Sequence, residues 1–240
     1  EIKVNAYGTH NFTAPTEFTI HVTVVNKVDA GVSITTPPAS KTYGDANFIL
    51  TATKSASVPD GGTWNWTSSD DTVLKIVDGA DSATATVQVL KASATGATLA
   101  VTYTSSTHYG SSSATITVAQ KEVTVSGITA ANKEYDGGTS ATVNASGATI
   151  TGKVDGDDLT VSVAAGSTFD SAGAGSRTVT LGTLTLGGTS AGNYTLATSG
   201  NQTTATANIT PATLTVTPVS VQTKKYGQPD PTTLNYAYSG

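Results

Sequence analysis

The feature that constrains this chain most is an internal repeat. Lys41-Thr42-Tyr43-Gly44-Asp45 returns as Lys133-Glu134-Tyr135-Asp136-Gly137, and again as Lys224-Lys225-Tyr226-Gly227. The three tyrosines stand 92 and 91 residues apart. Each copy follows a short alternating segment: Val32-Ser33-Ile34, Val123-Thr124-Val125 and Leu214-Thr215-Val216. Solenoid repeats run to roughly 20–50 residues, so a period near ninety points to one sandwich-sized domain per repeat.

The far ends of the repeats are related too. Thr107-His108-Tyr109 leads through small residues into Ala114-Thr115-Ile116-Thr117-Val118, and Thr9-His10-Asn11-Phe12 leads into Phe18-Thr19-Ile20-His21-Val22-Thr23-Val24. The chain therefore divides into four pieces. Residues 1–28 read as the closing strands of a preceding module, and 29–120 and 121–210 as two whole modules. Residues 211–240 read as the opening of another. No Gly/Ser-rich spacer separates the copies, which predicts very short linkers near Val28-Asp29 and Gln120-Lys121.

Within the modules the apolar period is two, as in Leu99/Val101/Tyr103, Leu159/Val161/Val163 and Ala205/Ala207/Ile209. Alternation places these side chains on one face of a half-buried strand. The 23 valines against 11 leucines, with Thr throughout, strengthen that reading, because β-branched side chains suit a pleated surface. At Gly182-Thr183 the phase shifts between Val179/Leu181 and Leu184/Leu186, which asks for a bulge or a bend. Turn clusters such as Pro59-Asp60-Gly61-Gly62 and Asp155-Gly156-Asp157 punctuate the strands, and no segment has a helical period. The expected fold class is all-β: tandem immunoglobulin-like β-sandwich modules. Charged residues are only 12%, but a net charge of −5 gives little self-repulsion, so a folded chain is expected.

Three motifs carry a family resemblance. Residues 121–210 resemble the YDG domain of bacterial surface proteins, through Asn132-Lys133-Glu134-Tyr135-Asp136-Gly137, Gly156-Asp157-Asp158-Leu159, Leu184-Thr185-Leu186, Ala191-Gly192-Asn193-Tyr194-Thr195-Leu196 and Ile209-Thr210-Pro211. Residues 211–240 are similar to the start of an MBG-type module, through Leu214-Thr215-Val216, Lys225-Tyr226-Gly227-Gln228 and Asp230-Pro231. Residues 29–120 are similar to bacterial Ig-like (BIG-type) repeats, through Trp66-Thr67-Ser68-Ser69-Asp70 and the closing strands. The resemblance implies a large secreted or cell-surface protein with modules in series. It brings no catalytic activity and no ligand-binding residues.

Composition excludes several function classes. There is no cysteine, hence no disulfide and no thiolate metal site. A single arginine, Arg177, and scattered lysines make no basic face, so nucleic acid is not an expected partner. No apolar run reaches the roughly 20 residues of a bilayer-spanning helix, so no membrane insertion is expected. No signal peptide is recognisable, and the chain opens on Glu1 with no Met, which reads as an internal stretch of something longer.

Several residues have a plainer role open to them beside a functional one. His10, His21 and His108 do not pair at metal-ligand spacing, and the many serines include no nucleophile elbow. Trp64 and Trp66 share a strand face, a stacking platform for a sugar or part of a core; core duty is expected at least for Trp66. Asp155, Asp157 and Asp158, and Asp70 with Asp71, lack the spacing of an EF-hand loop and suit turns better than calcium. Six Asn-x-Ser/Thr sequons follow from the Thr-rich composition. A Lys–Asn isopeptide bond would need Lys133, Asn193 or Asn208, and Asp136. An exposed turn at Lys133 and Asp136, with Asn193 in another turn, is the expected alternative. No catalytic, cofactor-binding or metal-ligating residue is therefore expected, and no cofactor. The expected function is a non-catalytic stalk or adhesin segment, its neighbours the modules of the same chain. The rival is a direct binding module for a host or environmental glycan or protein. Residues 211–240, with Leu234/Tyr236/Tyr238 alternating at their end, are too few to bury their apolar side chains alone, and pairing with another molecule is expected.

Overall fold

Alternating burial makes the first module a two-sheet stack. The computed structural model describes residues 26–219, 223–230, 232–233 and 235–239. Nine strands come first: β1 (Val28–Asp29), β2 (Ser33–Ile34), β3 (Ser40–Thr42), β4 (Phe48–Thr53), β5 (Thr63–Ser68), β6 (Leu74–Asp78), β7 (Thr84–Val89), β8 (Ser93–Thr104) and β9 (His108–Ala119). One sheet runs β1-β9-β8-β5, with β3 also paired to β9, and the other runs β2-β4-β7-β6. Leu50, Ala85 and Val87 of the second sheet face Trp66, Leu99, Val101 and Ile116 of the first, all buried in one cluster. Each such fully buried aliphatic side chain stabilises the module by about 1.5–3 kcal/mol relative to exposure. Val28 and Asp29, read from sequence as a linker, instead pair in parallel with His108 and Tyr109 as the edge of this sheet.

Strand β10 (Lys121–Ser126) opens the second module. It is followed by β11 (Thr129–Ala130), β12 (Lys133–Glu134), β13 (Val143–Asn144), β14 (Thr149–Thr151), β15 (Thr160–Val163), β16 (Thr168–Phe169), β17 (Gly175–Thr180) and β18 (Leu184–Gly187). A single 3-10 turn, Ala191–Asn193, precedes β19 (Tyr194–Leu196) and β20 (Thr204–Thr210). A four-stranded sheet, β12-β20-β17-β16, is accompanied by the triple β14-β10-β19 and the pairs β11-β13 and β15-β18. The phase shift at Gly182-Thr183 is a bend: β17 lies in the four-stranded sheet, and the chain then crosses to pair β18 with β15. A Cβ on Gly182 would lie 2.3 Å from the Ala164 carbonyl oxygen, so only glycine passes this corner.

Among the described residues no strand pairing crosses Gln120, and the fold is all-β, with immunoglobulin-like two-sheet packing in the first module as the alternation predicts. Beyond Thr210, β21 (Thr215–Pro218) and β22 (Tyr236–Ser239) form an antiparallel pair whose Val216, Tyr236 and Tyr238 are exposed. Leu234 and the expected closing strands in residues 1–25, with His10 and His21, lie outside the described residues.

Candidate functional site: the junction between modules

Strand β9 ends at Ala119 and β10 begins at Lys121, so one residue, Gln120, joins the modules. Its side-chain amide donates to the Gly192 carbonyl at 3.0 Å. The Ala92 backbone N–H of the first module donates to Asn193 Oδ1 of the second, also at 3.0 Å. These contacts fix both flanks of a connection that a flexible linker would leave free.

At the centre stands Tyr43, from the first copy of the repeated motif. The parallel pairing of β3 with β9 sets its backbone, and its N–H donates to the Ala119 carbonyl at 2.9 Å. The phenol then reaches into the second module and donates to the Asp157 carboxylate, 3.1 Å from Oδ1 and 3.0 Å from Oδ2. Tyr194 donates to the same Oδ2, and its own hydroxyl oxygen accepts the Val154 N–H at 2.9 Å. The two rings meet edge to face, 5.4 Å between centroids at 81°. That is the geometry aromatic quadrupoles favour. Gly44 follows with φ +82°, and a Cβ there would stand 2.8 Å from Val154 Cγ2, so a larger residue at this position would have to push Val154 aside.

The surroundings are apolar. Val118 of the first module and Val123, Leu159 and Tyr194 of the second belong to one continuous buried cluster, and Ile150 and Val154 pack on it. Beyond Val125, Phe169, Val179, Ala207 and Ile209 form a separate core. Burial, and next the Asp157 carboxylate, raise both phenols: Tyr43 is pushed up, and Tyr194 reaches about 12. Both therefore stay protonated donors through the physiological range. A carboxylate gripped by two phenols inside an apolar seam holds two bodies together; it presents no activated nucleophile.

The residues singled out from sequence fall in several places. Trp66 is buried, its indole N–H donating to the Ser82 carbonyl at 2.9 Å, and Trp64 is half-buried against Tyr103 with centroids 4.8 Å apart. His108 shares a hydrogen bond with Thr107 at 2.8 Å. Asp70 accepts the Thr72 N–H and hydroxyl, and Asp158 accepts those of Thr189; both carboxyls are held below their ordinary range by these bonds. The aspartates thus divide between turns and the junction, and among the described residues no three acidic or histidine side chains converge as a metal cage.

Lys133 differs from the exposed turn that sequence suggests. It lies in β12, mostly covered, with Nζ 2.7 Å from Asp136 Oδ1, 2.8 Å from the Gly138 carbonyl and 5.5 Å from the Phe169 ring centroid. Asn193 is engaged at the opposite end of the module with Ala92. The structure therefore does not assemble Lys133 and Asn193. What sequence reading missed is the meeting of Tyr43 with Asp157 and Tyr194: Tyr43 is read there only as part of the repeat, Asp157 as a turn former and Tyr194 as part of the family motif. The available signal was an aromatic residue recurring in a turn, where turn geometry needs only Gly, Asp or Asn.

No curated protein matches the chain. Among solved structures, 18 chains match. One is the three N-terminal domains of the highly immunogenic outer capsid protein of bacteriophage RB49: 21% identity over 88% of this chain and 68% of that one, TM-score 0.29. Another is the N-terminal four Ig domains of Dscam1 isoform 9.44, at 10% identity over 78% of this chain and 47% of that one, TM-score 0.30. The titin domains z1z2, in complex with telethonin, match at 11% identity over 78% of this chain and 100% of that one, TM-score 0.30. The family model of the YDG domain matches residues 119–205, from the end of β9 into β20, a span that takes in most of the second module.

Proposed function

We propose that the chain is a non-catalytic structural segment of a secreted or cell-surface bacterial protein, a stalk in which β-modules stand in series and hold a distal part away from its anchor. In this reading residues 29–120 are a bacterial Ig-like module, 121–210 the YDG module, and 211–240 the start of an MBG-type module, with 1–28 closing an earlier one. The junction carries the proposal. A one-residue connection, an apolar seam continuous with the first core and side-chain bonds on both flanks suit a spacer that keeps its shape. An independent hinge between modules would be expected to have a longer, polar linker and a wet interface.

The test is a distance distribution between spin labels on cysteines introduced at exposed Thr67 and Thr206, one in each module; the native chain has no cysteine to interfere. A single narrow distribution is expected, broadening when four Gly-Ser residues are inserted after Gln120. A distribution already as broad in the native chain would refute the stalk reading.

A further inference from the structure

We propose that the repeated Lys-x-Tyr motif is an inter-module plug used at successive junctions: Tyr43 fills it here, and Tyr135 presents the same plug to the module that follows Thr210. Its receptor there is a loop carboxylate backed by a tyrosine hydroxyl. The inference rests on modules standing in series, as proposed above, and goes on to name the contact that joins them.

The backbone places the two tyrosines equivalently. Tyr43 donates its N–H to the Ala119 carbonyl at 2.9 Å, and Tyr135 donates its N–H to the Thr210 carbonyl at 2.8 Å. Lys41 pairs in parallel with Val118, and Lys133 with Ile209. In both cases the motif is strapped to the last strand of its own module, so its tyrosine emerges where the chain leaves for the next. The lysine is tied to an aspartate of the motif both times, Lys41 to Asp45 at 3.2 Å and Lys133 to Asp136 at 2.7 Å. The turn is thus ordered before any partner arrives, which lowers the entropic cost of docking.

The difference lies in occupancy. Tyr43 is 9% exposed, whereas Tyr135 is 48% exposed beside a shallow recess formed with Ala174 and Pro211–Leu214. Glu134 Oε1 already accepts the Thr213 N–H at 3.4 Å, so the incoming chain is held against the motif. A phenol so placed has an apolar ring to bury and one donor to satisfy. The receptor that fits it at the filled junction is the Asp157 carboxylate supported by Tyr194.

The experiment inserts a copy of residues 120–210 between Thr210 and Pro211 of the full chain, so that a copied Gln120 again joins the modules and Tyr135 faces a copied Asp157 and Tyr194. Thr139→Ser in the inserted copy marks its tryptic peptide. Tyrosine nitration by tetranitromethane is then followed peptide by peptide. Tyr135 ahead of the copy is expected to slow about tenfold, into the range of Tyr43, while Tyr135 of the copy stays reactive; Asp157→Asn in the copy restores the rate. If Tyr135 stays reactive while Tyr43 is protected, the second plug is refuted and the stalk reading stands. If Tyr43 itself reacts as fast as the exposed Tyr135, the filled junction fails and both readings fall. Should Tyr194 of the copy react, showing the copy unfolded, an exchange in the unextended chain decides. Thr42→Glu, which leaves Gly44 and its close approach to Val154 in place, writes the Lys-Glu-Tyr of the second motif into the first junction. Continued protection of Tyr43 supports interchangeable plugs, and its loss overturns them.

Discussion

Trp66 shows how one side chain settles between core and binding surface. It is 3% exposed, packs among Leu50, Val87 and Leu99, and satisfies its indole N–H on Ser82. Trp66→Ala should therefore cost the first module about 3–5 kcal/mol, the range for truncating a core aromatic. Equilibrium denaturation followed by circular dichroism checks this, and an unchanged midpoint would return the residue to the surface. That outcome was legible from sequence, since an inward strand position leaves a large apolar ring few other places. Lys133 was not legible in the same way. Its motif is rich in Asp and Gly and suggests a solvated turn, but Lys133 pairs in parallel with Ile209 and its Nζ lies over the Phe169 ring, and only tertiary contact reveals that.

At the scale of elements, the strands and most turns follow from period and composition, while their partners do not. Val179 and Leu184 are five residues apart, yet β17 and β18 serve different sheets, a choice made by the corner at Gly182 and invisible to a two-residue period. The junction is the same case: β3, the turn before β15 and β19 meet across more than a hundred residues of sequence, which local pattern cannot encode. Its pH response follows from the phenols. Both are raised above the ordinary value of 10.0, Tyr194 to about 12, first by burial and then by Asp157. A raised group stabilises the folded state fully below its unfolded value and loses that contribution as pH climbs through the folded one. The chain should therefore lose stability between about pH 10 and pH 12. Tyr43→Phe should cost roughly 1 kcal/mol at neutral pH through the lost hydrogen bond, and should shrink the alkaline loss. Denaturant midpoints measured across this window test both, and an identical alkaline slope in the variant would contradict the assignment.

Across the whole molecule, the direction of the chain through each module determines how it meets tension. In the first module the entering strands β1 and β3 both run parallel to the exiting strand β9, and in the second β12 runs parallel to the exiting β20. Pulling the two ends of a module apart therefore slides parallel neighbours past one another. It loads the Val28–Thr107, Ala30–Tyr109, Ala39–Thr117 and Tyr43–Ala119 backbone bonds together, at 2.8, 2.9, 3.3 and 2.9 Å. Pulling across the sheet would instead open such bonds one after another, each worth only about 0.5–1.5 kcal/mol net. Forced unfolding is governed by the barrier to rupture, so bonds that must break together resist more than the same bonds broken in turn. Cysteine handles placed at Val28 and Gln120 apply the sliding geometry to the first module, and handles at Val28 and Ser105 peel β1 from β9 beside the turn that starts it. Single-molecule pulling should show a rupture force several-fold higher for the first pair than for the second at the same loading rate. Equal forces would mean that the parallel strands do not set the mechanical response, and a stalk under tension would have to draw its strength from elsewhere in the module.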